Sequence, residues 1–103
     1  MNNIFEFGEI DDPLEVIDRI AETDKISIER IISTGQTTPE GEWLVQKKSE
    51  FVLLLTGKAG LEFKSGKAFE LLPGDHLLIP CGIEHRVTHT QKKPPTIWLA
   101  VHY

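Results

Sequence analysis

Short β-branched or apolar runs, each closed by glycine, proline or a polar turn, recur through most of this chain. That rhythm restricts it to a few all-β folds. The runs are Ile26–Ile32, Glu50–Thr56, Leu61–Lys64, Lys67–Leu71, His76–Ile79, Glu84–Thr90 and Thr96–His102. Turn signals separate them: Thr34-Gly35, Thr37–Gly41, Gly57 with Gly60, Ser65-Gly66, Pro73-Gly74-Asp75, Pro80 with Gly82, and Lys92–Pro95. Strands this short and this regularly interrupted belong to an antiparallel sandwich or barrel. The run Glu50–Thr56 is almost continuously apolar, so both of its faces are expected to be covered. In Thr96–His102, Trp98 alternates with Ala100 and His102. One face of that strand is therefore expected to line the interior.

Only the N-terminal part reads differently. Asp11 or Asp12 can cap a helix, Pro13 suits its first position, and Leu14, Ile17, Ile20 and Ala21 recur at helical spacing. Glu15, Asp18, Arg19 and Glu22 fill the other face, and Thr23-Asp24 ends it. The expectation is one short helix over 12–23 lying on a β-barrel over 26–103, within a single domain spanning 1–103. At 103 residues the chain has room for one domain.

Composition removes several classes of function. Sixteen acidic residues against eleven basic ones give a formal charge of −5, which argues against nucleic-acid binding. No apolar run approaches the ~20 residues of a membrane-spanning helix. The acidic start MNNIFEFGEIDD does not resemble a signal peptide, and a cytoplasmic location is expected. The one cysteine, Cys81, cannot form a disulfide within the chain and has no cationic neighbour in sequence to lower its pKa.

The chemistry-bearing residues concentrate in Gly74–His89. Gly74 turns the chain into a strand, Pro80 and Gly82 end that strand, and His85 opens the next. By simple alternation His85, Val87 and His89 share a face. Two imidazoles on an inward face would reach a site in the barrel mouth, and on an outward face they would meet solvent. His76 and His102 are single histidines without a spaced partner and read as structural. Arg86 and Glu84 read as solvated.

The spacing of Gly74, Pro80, Gly82 and His85 resembles the second sequence motif of the cupin superfamily, with His89 where asparagine is usual. The first cupin motif is matched by Glu50 and Gly57. Its two histidines are missing: Gln46 and Leu44 stand there, or Val45 and Trp43 on the alternative spacing. The resemblance implies a small cupin-type double-stranded β-helix, a jelly-roll barrel. It also implies a barrel cavity as the site, and a homodimer.

For the site, the resemblance implies a divalent metal (iron, manganese, nickel or zinc) on Glu50 and His85, with Gln46 and His89 as further donors. The alternative is a metal-free pocket holding a small molecule with Trp43, Gln46, His85 and His89. In that case Glu50 and His85 form a hydrogen-bonded polar pair. A third reading is a barrel used only for assembly. Trp43 is either an aromatic wall of the pocket or core-edge packing. Fold analogy does not select a substrate or a reaction.

Overall fold

The computed structural model describes residues 2–10 and 13–103. Among the described residues run eight strands: β1 Val16–Glu22, β2 Ser27–Ser33, β3 Glu50–Thr56, β4 Ala59–Phe63, β5 Ala68–Leu71, β6 His76–Ile79, β7 His85–Thr90 and β8 Thr96–His102. All neighbouring strands in the sheets are antiparallel. One sheet has five strands in the order β1-β2-β8-β3-β6, and the other has three in the order β5-β4-β7. Strand pairing does not join the two sheets into a closed ring, so the barrel expected from sequence is an open two-sheet jelly roll. Among the described residues the second sheet is tied to the rest partly by the isolated bridge Leu44–His85.

Within the range 12–23, where a helix is expected, Val16–Glu22 is a strand. Residues Val16–Glu22 pair with β2 from Val16↔Ile32 to Glu22↔Ser27. The register skips Ile20, which is the extra residue of a β-bulge between Arg19 and Ala21. A bulge turns a period-two pattern into a spacing of three, so Ile17 and Ile20 imitate a helical stripe. Val16, Ile17 and Ile20 are β-branched and favour the pleated surface. Thr23-Asp24, expected to end a helix, instead makes the hairpin turn: Thr23 Oγ1 accepts from the Ile26 amide at 2.9 Å, and the Thr23 amide donates to the Ile26 carbonyl at 2.7 Å. The cap expected at Asp11 or Asp12 lies outside the described residues.

The core fills the space between the sheets. Val52, Leu54, Trp98, Ala100 and Ile79 from the larger sheet meet Ala59, Leu61 and Leu71 from the smaller one. Each comes from the inward face of its strand. In β3 the inward residues Glu50, Val52 and Leu54 are buried. Phe51, Leu53 and Leu55 lie outward and are only half-buried, so that face is less covered than the apolar run implies. Gly57 closes β3 with φ +84°. A Cβ there would stand 2.7 Å from the Thr96 Cα, so the close approach of the chain to the start of β8 requires a glycine on both counts.

This packing brings β2, β8 and β3 side by side. Ser49 and Tyr103 exchange both backbone hydrogen bonds at 2.9 Å, which continues the β3–β8 ladder past its last strand residue. Glu50 is therefore held directly opposite His102. On the other side of β8, His102 is opposite Ser27 and Ala100 is opposite Glu29. Glu29 thus sits diagonally across from His102 on the same inward face.

Candidate functional site

The inward faces of β1, β2, β3, β7 and β8 surround a cavity of about 250 Å³. Its apolar wall comes from residues such as Ile31, Val52, Leu61, Ile79, Val87 and Trp98, and its polar atoms from Glu15, Glu29, Ser33, Gln46, Glu50, His85 and His102. Apolar walls with a few converging polar groups are the usual make-up of a small-molecule site.

Glu50 is at the centre of the polar groups and is only 7% exposed. One carboxylate oxygen lies 3.9 Å from His85 Nε2, and the other lies 3.5 Å from His102 Nε2. His102 Nε2 is also 3.0 Å from Glu29 Oε1, so one imidazole bridges two carboxylates. His85 is 3% exposed, and its Nδ1 lies 2.9 Å from the Ile83 carbonyl. A carbonyl only accepts, so Nδ1 carries the hydrogen. In the neutral ring Nε2 is then left as an acceptor on the Glu50 side. Gln46 Oε1 is a buried acceptor with no hydrogen-bond partner. At the far end of the cavity Trp98 Nε1 donates to Ser33 Oγ at 3.2 Å, and Ser33 Oγ donates to Glu15 Oε2 at 3.3 Å.

Burial is the main reason the Glu50 carboxyl titrates above the ordinary 4.5. His102 and then His85 pull it back down, while the carboxylates of Glu29 and Glu15 push it further up. The result is a buried carboxyl group that holds its proton more readily than usual, with imidazoles 3.5 and 3.9 Å away.

Of the residues singled out in sequence, Gln46, Glu50 and His85 meet in this cavity and Trp43 and His89 do not. The segment before β3 explains Trp43. Leu44 and His85 exchange backbone hydrogen bonds at 2.7 and 2.9 Å, and the Gly82 amide donates to the Gln46 carbonyl at 2.9 Å. Those bonds lay the segment across the cavity, with Leu44 and Gln46 among its lining residues. Trp43 is half-buried outside that lining and Val45 is exposed. His89 is separated by a second bulge. Gly60 is opposite His89 but Leu61 is opposite Val87, so Thr88 is the extra residue and alternation breaks there. His89 is about half exposed and pairs with Glu70 at 2.7 Å on the outside of the smaller sheet. Gly60 permits this: a Cβ on it would stand 2.6 Å from the His89 ring.

His102, Glu29 and Glu15 are the site residues the sequence did not single out. The signal for His102 was present, since alternation from Trp98 through Ala100 points it inward. Glu29 and Glu15 have no motif, and only strand pairing reveals them.

A two-sheet antiparallel jelly roll with a polar-centred cavity between its sheets is the architecture of cupins. The cupin-domain family model matches residues 32–102, and the chain belongs to that family. Among solved structures, the chain is similar to a Ralstonia eutropha JMP134 protein described as a "putative mannose-6-phosphate isomerase". The two are 37% identical, with a TM-score of 0.93 over 99% of this chain and 95% of that one. The fold is shared with a cupin superfamily protein of Desulfitobacterium hafniense DCB-2 at 18% identity and a TM-score of 0.76, over 91% of this chain and 81% of that one. It is also shared with a Thermus thermophilus protein, TT1209, at 14% identity and a TM-score of 0.80, over 99% of this chain and 94% of that one. No curated protein matches the chain.

The cupin resemblance implies a metal, and the donor set here does not fit one. Two of the four ligand positions hold Leu44, which has no donor, and Gln46, which offers only a neutral amide oxygen. His89, the further donor expected from sequence, is engaged with Glu70 elsewhere. Among the described residues no group of three His, Cys, Asp or Glu side chains is arranged to hold an ion.

A carboxyl whose pKa rises on folding binds more protons in the folded state than in the unfolded chain. Its contribution to stability is therefore full below the unfolded value and is lost as pH climbs through the folded one. Urea denaturation across pH 4–8 should show wild-type stability falling above the ordinary carboxylate range, relative to Glu50→Gln. Parallel curves for the two proteins would mean that the cavity leaves Glu50 unperturbed.

Proposed function

We propose that this cupin is a metal-free small-molecule-binding protein whose cavity holds its ligand against Glu50, His85, His102 and Gln46. The observation that carries the reading is the buried Glu50 carboxyl set between two imidazoles, beside the unpartnered Gln46 oxygen. A buried acceptor without a partner costs about 1–3 kcal/mol, and a ligand hydrogen bond would recover that cost. Glu50 and His85 are the groups placed to take or give a proton on a bound molecule. The relative's description names an isomerase, and proton transfer between Glu50 and a ligand carbon or oxygen is compatible with that class of chemistry.

Elemental analysis of protein purified without chelator should find well under one iron, manganese, nickel or zinc ion per chain. Adding each ion should leave the melting temperature unchanged. Stoichiometric metal that is lost in both Glu50→Ala and His85→Ala would overturn the metal-free reading.

The second partner we propose is another copy of the chain, seated on the outer face of the larger sheet. Phe51 and Leu53 on β3 lie there half-buried, with Leu78 of β6 opposite Phe51 and 56% exposed. A core this small gains from covering such a face. Light scattering at tens of micromolar should give twice the chain mass of 11.6 kDa, and a Leu78→Lys change should shift it towards the monomer. A wild-type monomer at that concentration would contradict it.

A further inference from the structure

We propose that the ligand of this cavity is a small organic cation, a protonated amine on an apolar body, and not an anion such as a sugar phosphate. The proposal rests on the ligand-binding reading above and specifies which chemical class the same cavity takes. Three carboxylates, Glu15, Glu29 and Glu50, line the cavity. Among the described residues no lysine or arginine lines it. The nearby cation is Arg19, whose Nη2 lies 3.5 Å from Glu29 Oε2. Its guanidinium is already held by Glu22 at 2.7 Å, and its side chain is more than half exposed. A phosphate or carboxylate brought inside would therefore meet an acidic lining and no lysine or arginine. Phosphate recognition depends on the opposite arrangement, a fork of arginine or a lysine point charge.

The hydrogen-bonding inventory has the same polarity. Gln46 Oε1 and the three carboxylates are acceptors, and His85, whose Nδ1 donates to the Ile83 carbonyl, turns its Nε2 towards Glu50. The side-chain donors at this end are His102, already shared between Glu29 and Glu50, and the Gln46 amide nitrogen, so acceptors outnumber donors. A ligand that donates several hydrogen bonds satisfies this set, and an ammonium group donates three. The walls set the rest of the molecule, because Ile31, Val52, Leu61, Val87 and Trp98 offer only apolar surface around the polar centre. At about 250 Å³ the space suits a single ring or short chain.

Benzylamine, phenylacetate, mannose and mannose 6-phosphate, titrated separately into the full chain at pH 7.5 and followed by protein NMR, test this. Benzylamine should shift amides of β3 and β8 around Glu50 and His102. Its affinity should fall about tenfold in Glu29→Gln and in Glu50→Gln, as expected for losing a charge-assisted hydrogen bond. A surface control, Glu40→Gln, should bind it as the wild type does. Far-ultraviolet circular dichroism of each variant establishes that it is folded. Tighter binding of phenylacetate, mannose or mannose 6-phosphate at the same amides would overturn the cation assignment and leave the binding reading standing. Equal benzylamine affinity in all variants would also overturn the assignment. Silence of all four probes at millimolar concentration would count against both.

Discussion

The carboxylate of Glu50, buried between two imidazoles, is the interaction on which the rest of the site depends. It is held there by backbone pairing and not by local sequence. The β3–β8 register sets Glu50 opposite His102, and the reciprocal Ser49–Tyr103 bonds lock that register at its open end. A slip of one residue would turn Glu50 to the outer face and put Phe51 in the cavity. The same ladder sends Val52, Leu54, Trp98 and Ala100 into the core, so misplacing the carboxylate would also empty the hydrophobic interior. Stability of the fold and chemistry of the site thus share one constraint.

Around that carboxylate the cavity is electrostatically lopsided. Glu29 and Glu15 add negative charge, and His102 is drawn between two acids. Burying the Glu50 carboxylate near two others is costly unless protons or ligands compensate. Raising the Glu50 pKa is one compensation, and a donor-rich ligand is another. The replacement of cupin ligand positions by Leu44 and Gln46 fits this picture, because it exchanges imidazole donors for an apolar wall and a neutral acceptor.

Much of the fold was legible because strand periodicity and turn chemistry are local. The bounds of β3, β6 and β8 follow directly from apolar runs stopped by Gly57, Pro80 and the end of the β-branched segment. Gly74, Pro80, Gly82 and His85 carried the family through their spacing. What escaped the sequence reading at two places escaped for one reason. A β-bulge adds a residue that period-two reasoning does not count. At Ile20 it disguised a strand as a helix, and at Thr88 it sent His89 to the opposite side from His85. Glu29 and Glu15 escaped differently, since a charged residue on a strand shows its face only once the neighbouring strand is in place.

Glu50 faces His102 across 3.5 Å inside the cavity, and that contact is the centre of the site. Its most direct test is an NMR titration that follows the Glu50 side-chain carboxyl carbon together with the His102 ring nitrogens. The carboxyl carbon should titrate above the ordinary 4.5, and the chemical shifts of the His102 nitrogens should change in Glu50→Gln. A Glu50 carboxyl that titrates at or below the ordinary value, with His102 nitrogen shifts unchanged in Glu50→Gln, would contradict it.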